Sequence, residues 1–329
     1  MISRVADHCF WFGRYVERAE ATARMLDATL RLSLDGELSA EHIWRPLIVV
    51  AGEEQRYTAA VDRPNDRLWA DRDVVARYLT WNRACGTALI NSVHHARWNA
   101  QAIRDVLSSE VWEATNDLYL YARDPATELQ WRQAPTAVYQ QVRNKTQLTL
   151  GLLRSTMLHD EAMDFMWLGV LLERVSQTAR LLDVHHHTLV HVDGDSPVIK
   201  TAVWSALLQS LSGTEAFMKR NAGRVTADGV AGFLIFEAQF PRSVAYCISS
   251  ALSRLSEIRP PHEEHLPGGA SLMRLSALNA WLNAQHRLAL SDIDVHALLT
   301  RVVEAVHAIC DDLGAELLGA AAVAKSADQ

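Results

Sequence analysis

Two stretches of the sequence are near copies of each other, and they decide the fold. Residues 11–27 read WFGRYVERAEATARMLD, and residues 167–183 read WLGVLLERVSQTARLLD. Nine of the seventeen positions are identical at an offset of 156 residues, and they include the Glu-Arg pairs Glu17-Arg18 and Glu173-Arg174. Such self-similarity indicates a repeated structural unit. We therefore predict two related halves, residues 1–157 and 158–329, packed as one body because no Gly-, Ser- or Pro-rich linker separates them.

The spacing of apolar residues predicts the class of fold. In the first copy, Phe12, Val16, Ala19, Ala23 and Leu26 follow one another at steps of three or four, which places them on one face of a helix. The same spacing predicts helices near 39–51, 71–81, 86–107, 109–121, 131–158, 160–190, 197–211, 226–237, 242–258, 271–287 and 292–320. We expect an all-α helical bundle, with the two repeated helices antiparallel or crossing near its centre.

Composition excludes several classes of protein. The chain has 32 Lys and Arg against 39 Asp and Glu, a net charge of −7, which argues against binding to nucleic acid or to an anionic membrane. Because no run of apolar residues reaches the length of a spanning helix or a signal peptide, we expect a soluble, cytoplasmic protein. The four cysteines are far apart and form no CxxC pair, so neither a zinc ribbon nor a disulfide framework is indicated.

Charged residues share the side of the first repeated helix that lies opposite its apolar stripe. They are Arg14, Glu17, Glu20, Arg24 and Asp27. Their spacing allows i,i+3 and i,i+4 ion pairs on a solvated surface, each of which would stabilise the helix by roughly a few tenths of a kcal/mol. The second copy, however, changes most other side chains and keeps Glu, Arg and Asp. That favours either a buried ion-pair network at a pseudo-two-fold interface or a charged site between the halves, and the sequence leaves these interpretations open.

The buried interpretation has a definite geometric consequence. The repeated charged residues of the second copy are Glu173, Arg174, Arg180 and Asp183. If they meet the first set across the centre, Glu17 and Glu173 must be buried and paired with arginines of another helix.

Four separated blocks resemble, in the same order, the bacterial alpha-E family of all-helical proteins. They are SRVADHCFWFGRYVERAEATARMLD at 3–27, SSEVWEATNDLYLYAR at 108–123, FMWLGVLLERVSQTARLLDVHHH at 165–187 and FLIFEAQFPRSVAYCI at 233–248. The resemblance places the family's characteristic glutamate at Glu17 or Glu20. It also implies a circularly permuted ATP-grasp protein as partner, often with a transglutaminase-like protease, and hence ATP-dependent amide or peptide-bond chemistry.

Two functions of different kinds follow. In the first, the chain is a non-autonomous component of an ATP-grasp-linked system that forms or modifies peptide or amide bonds, and it binds the ligase or its substrate. The alternative is an enzyme with Glu17 or Glu20 as general acid/base and Arg14, Arg18 and Arg24 as anion-binding groups. The sequence has no GxxxxGK[ST], GxGxxG or GxSxG motif, so we predict no cofactor and assign the ATP site to another polypeptide. The predicted substrate-binding residues are Arg14, Arg18, Arg24, Glu173, Arg174, Arg180 and Arg242. Association with further copies of the chain is left open.

Histidines form a second, weaker candidate site. His185, His186 and His187 close the second repeated helix, and His187 and His191 stand at the i,i+4 spacing of a metal-ligand pair. Histidines at a helix C-terminus also arise because the helix dipole favours cations there. We therefore predict no metal site.

Overall fold

The computed structural model describes residues 1–33, 39–61, 69, 71–191, 197–221, 224–288 and 292–319, with only the backbone for 187–191. Within these ranges the chain forms fifteen α-helices and no strand, which confirms the all-α prediction. In chain order the helices are α1 Ser3–Leu32, α2 Ala40–Ala51, α3 Glu54–Ala60, α4 Arg72–Trp81, α5 Leu89–Ala102, α6 Ser109–Arg123, α7 Pro125–Gln133, α8 Pro135–Thr156, α9 Glu161–His191, α10 Pro197–Ser210, α11 Thr214–Arg220, α12 Ala227–Phe236, α13 Val244–Ile258, α14 Gly269–Gln285 and α15 Val295–Glu316.

Three short helices were not predicted from the sequence. These are α3, α7 and α11, none longer than nine residues. A helix of about two turns has too few apolar positions to show a helical periodicity in the sequence. The predicted helix 131–158 is in fact the end of α7 followed by α8, because Pro135 cannot continue a helix and instead opens α8 at its first position.

The two repeated helices, α1 and α9, lie side by side at the centre of the molecule. They cross at two glycines: a Cβ on Gly13 would lie 1.9 Å from the carbonyl oxygen of Met166, and one on Gly169 would lie 2.1 Å from that of Phe10. Such close contact between backbones requires glycine on both sides.

The direction of the two central helices corrects one expectation. Phe10 contacts Gly169, and eight residues later Arg18 contacts Glu173, so the contacts advance in the same direction along both helices. The N-terminal ends also meet, because the amino group of Met1 lies 2.8 Å from Oε2 of Glu161. The helices therefore cross while running the same way, and the antiparallel alternative is wrong.

The helices packed around α1 resemble those packed around α9 in their order along the chain. Helix α1 packs against α5, α8 and α10, and α9 packs against α13, α15 and α2. Helices α4 and α5 begin at 72 and 89, whereas α12 and α13 begin at 227 and 244, a constant offset of 155. The boundary between the predicted halves lies between α8 and α9. The duplication and the two-half division remain predictions, although the elements match in this way.

The central position of α1 explains why its charged face is not solvated. Neighbouring helices cover most of its surface, so Phe12, Val16 and Leu26 are fully buried and Glu17 and Glu20 are buried as well. No helix in the described ranges is long and apolar enough to cross a membrane.

Candidate functional site

The carboxylate of Glu17 is bound by two arginines from outside its own helix. Its Oε2 accepts a hydrogen bond from Nη2 of Arg174 at 2.6 Å, and its Oε1 accepts one from Nη1 of Arg242 at 2.6 Å. Arg174 lies on α9, and Arg242 lies in the loop before α13. Glu17 is 0% exposed. Although burial raises the pKa of this carboxyl, the charges of Arg174 and Arg242 hold it below its ordinary value.

Glu173 on α9 is bound in the same way by two arginines of α1. Arg18 donates from Nε to Oε1 at 2.7 Å and from Nη2 to Oε2 at 2.8 Å, and Arg14 donates from Nε to Oε2 at 2.8 Å. Here too burial raises the pKa, and the charges of Arg18 and Arg14 lower it well below its ordinary range. The arginine of each Glu-Arg pair thus binds the glutamate of the other pair. The prediction that Glu17 and Glu173 are buried and paired with arginines of another helix is confirmed.

Glu20 extends the network around Glu17. Its Oε1 accepts from Nε and Nη2 of Arg24 at 2.8 and 2.6 Å and from Nη2 of Arg242 at 2.9 Å. Arg242 therefore bridges Glu17 and Glu20. Its position is fixed by the start of α13, where the hydroxyl of Ser243 caps the helix by accepting from the backbone amide of Tyr246 at 3.1 Å.

The outer members of the repeated set do not meet across the centre. Asp27 contacts Arg31 of its own helix and Arg143 of α8. Asp183 contacts His296 in the first turn of α15. Among the described residues, the shared network consists of the two Glu-Arg pairs at the crossing together with Arg14, Glu20, Arg24 and Arg242.

A cavity of about 130 Å³ opens beside Glu173, between α1 and α9. We call it the arginine cavity. Its polar lining consists of Arg14, Arg18, Thr22, Thr87, Glu173, Ser176, Gln177, Arg180 and His307, and its apolar wall of Met25, Val50, Ala51 and Leu79. The cavity extends inward from the surface, since His307 is exposed and Ser176 is buried.

The electrostatics of the arginine cavity are positive. Three guanidinium groups surround one carboxylate, that of Glu173, which Arg14 and Arg18 already bind. Among the described residues, the hydrogen-bond partner of Arg180 is the ring of His307, with 2.8 Å between Nη2 and Nε2. Burial lowers the pKa of His307, and Arg180 and Arg14 lower it further, so the imidazole is neutral at pH 7 and accepts this hydrogen bond.

The predicted site residues therefore divide into two groups. Arg14, Arg18, Glu173 and Arg180 line the arginine cavity, whereas the remaining five lie in the ion-pair network beside it. Those five are Glu17, Glu20, Arg24, Arg174 and Arg242. Sequence reasoning missed Thr87, Ser176 and His307, which come from three different parts of the chain. One signal was available, because Ser176 stands where the first copy has Glu20.

The remaining candidates are the histidines at the end of α9 and the cysteines. The side chains of His187 and His191 lie outside the described residues. Among the residues described, no group of three or more His, Cys, Asp or Glu could hold a metal ion. Burial raises the pKa of the Cys9 and Cys247 thiols to about 12, which leaves them protonated and unreactive.

Comparison with known proteins identifies the family. The sequence profile of the Alpha-E family, described as a predicted alpha-helical domain with a conserved ER motif, matches residues 1–318. The chain belongs to the Alpha-E family. Its two Glu-Arg pairs, Glu17-Arg18 and Glu173-Arg174, are the places where such a motif occurs in the central helices, and these are the pairs that cross-connect α1 and α9.

Similar Alpha-E sequences occur within longer proteins. Uncharacterized proteins of Mycobacterium tuberculosis (strain ATCC 25618 / H37Rv) and Mycobacterium bovis (strain ATCC BAA-935 / AF2122/97) are each 26% identical over 329 residues, covering 94% of this chain. The chain spans only 36% of the length of these relatives. No solved structure matches it significantly.

Proposed function

We propose that the chain is a non-autonomous, cytoplasmic component of an ATP-grasp-linked system that forms or modifies amide or peptide bonds. In this role it binds the partner ligase or the substrate of that ligase. The observation that supports binding is the arginine cavity, where three guanidinium groups surround a single carboxylate that is already paired. A concave site with excess positive charge suits an anionic ligand.

The ion pairs of the glutamates support a binding role over the catalytic alternative. A general base needs a pKa near the working pH and access to the substrate. Both oxygens of Glu17 are engaged by arginines, which hold its pKa below the ordinary value. Neither Glu17 nor Glu20 belongs to the described lining of the arginine cavity.

The identity of the partner rests on the family. The resemblance to alpha-E proteins implies a circularly permuted ATP-grasp protein, which would supply the ATP site, and a transglutaminase-like protease as a second partner. That the matched region is about a third of the mycobacterial relatives supports a domain that works together with others.

Reconstitution tests this proposal. The tagged chain is co-expressed with a circularly permuted ATP-grasp protein from the same genome, and the complex is isolated. ATP-dependent condensation of candidate amine and carboxylate substrates is then followed by mass spectrometry with and without the chain. We expect co-purification and a condensation product that forms only when both proteins are present. Full condensation activity of the ATP-grasp protein alone would refute the proposal.

A further inference from the structure

The network around Glu17 and the arginine cavity occupy equivalent places on the two central helices. On the Glu17 side, Glu20 supplies the carboxylate that binds Arg24, and Arg242 fills the space between Glu17 and Glu20. Residues 156 positions apart on α1 and α9 make matching contacts, as Gly13 and Gly169 show. The counterpart of Glu20 is therefore Ser176, and the counterpart of Arg24 is Arg180.

The counterpart of Arg242 is a smaller residue as well. Arg242 stands two residues before the start of α13, and Thr87 stands two residues before the start of α5. Thr87 and Ser176 both line the arginine cavity. The cavity thus lies where the other side of the molecule holds the Arg242–Glu20 pair, because two long charged side chains are replaced by two short hydroxyl side chains.

Two groups in the cavity lack the partner that their counterparts have. Arg24 is bound by the carboxylate of Glu20, whereas Arg180 forms no salt bridge with any residue that the structure describes. The hydroxyl oxygen of Ser176, a residue only 4% exposed, has no hydrogen-bond partner. Because buried polar groups are normally satisfied, the Ser176 hydroxyl points to a ligand, and the half-buried guanidinium of Arg180 beside it supplies a positive charge with no carboxylate among the described residues.

We propose that the arginine cavity binds the carboxylate end group of a ligand in the place that the Glu20 carboxylate occupies on the other side of the crossing. The guanidinium of Arg180 and the hydroxyl of Ser176 donate to the two carboxylate oxygens, a planar arrangement that suits an arginine fork. The rest of the ligand extends past the exposed His307 into solvent. The proposal rests on the proposed function in one respect, because it makes the ligand the carboxylate substrate of the amide-forming system.

Binding to the isolated chain tests this inference without any partner. N-acetylglycine and, separately, inorganic phosphate are titrated into the full chain at constant ionic strength, and the melting temperature and the heat of binding are measured. We expect saturable binding of N-acetylglycine that weakens about tenfold or more in Arg180→Gln. The exposed Arg72 is the matched control, and Arg72→Gln should bind like the parent. Equal binding by the parent and Arg180→Gln, no saturable binding, or binding of phosphate alone would overturn the inference.

A second variant supplies the missing carboxylate from the chain itself. Ser176→Glu recreates on α9 the relation of Glu20 to Arg24, so it should raise the melting temperature and abolish N-acetylglycine binding. If this variant still binds the ligand like the parent, the carboxylate position is wrong. The outcomes remain distinct from those of the reconstitution: binding of N-acetylglycine without any effect of the chain on condensation would refute the proposed function and leave the carboxylate site standing.

Discussion

Glu17 is an anion whose cations come from distant parts of the sequence, and this makes its contribution to stability measurable. In Glu17→Gln, the buried charge of Arg174 loses its carboxylate, and Arg242 keeps only the carboxylate of Glu20. We expect the free energy of unfolding to fall by about 3–5 kcal/mol. Urea denaturation measures this loss. The exposed i,i+4 pair of Glu41 and Arg45 is the control, because Glu41→Gln should cost at most about 0.5 kcal/mol. Equal losses in the two variants would contradict a stabilising role for the buried pair.

The role of a single residue could be predicted only where the two copies of the repeat share the same residue. The retained Glu-Arg pairs favoured a buried network or a charged site over a solvated face, which has no reason to keep the same charges. Burial of Glu17 and Glu173 against arginines of another helix followed only if the two sets met across the centre, and the individual partners could not be predicted. The arginine cavity could not be predicted, because Thr87, Ser176 and His307 come from the turn before α5, from α9 and from α15, and they share no local pattern.

The crossing of α1 and α9 depends on two residues without side chains, and a matched pair of substitutions tests this. Gly13→Ala places a Cβ 1.9 Å from the carbonyl oxygen of Met166, so the two central helices must move apart. We expect a loss of more than about 3 kcal/mol, as for severe overpacking. A Cβ on Gly151 of α8 would meet no heavy atom within 4 Å, so Gly151→Ala should instead stabilise the chain by about 0.5–1 kcal/mol. Thermal melts of both variants should therefore shift in opposite directions.

Helix positions followed from apolar periodicity, whereas their relative direction did not. The long helices agree with the predicted ranges because three or more turns show a clear stripe. The parallel direction of α1 and α9 depends on contacts between residues about 156 positions apart, and a helix has the same periodicity in either direction.

Stability of the whole molecule should depend on acid pH through two of its buried glutamates, Glu17 and Glu173. The pKa values of Glu17 and Glu173 in the folded chain lie below the ordinary 4.5, so the unfolded chain binds more protons in the acid range. Their contribution is fully present above the unfolded pKa and is lost as the pH falls through the folded pKa values. We expect the free energy of unfolding to fall steeply below about pH 4.5. Denaturation curves from pH 7 to pH 3 measure this, and Glu17→Gln should show a shallower slope. Identical slopes would rule out Glu17 as a source of the acid sensitivity.

The reciprocal exchange of Glu17 with Arg174 and of Glu173 with Arg18 has a consequence for how such a molecule could begin. Residue 17 contacts the counterpart of residue 18, and residue 18 contacts the counterpart of residue 17, which is the pattern of an isologous interface. A half-length chain with one such glycine and one such Glu-Arg pair would carry the contacts that two identical copies need at this crossing. If two such halves were joined in one chain, the two sides could diverge, so that one would keep the Arg242–Glu20 pair and the other would hold a cavity in its place.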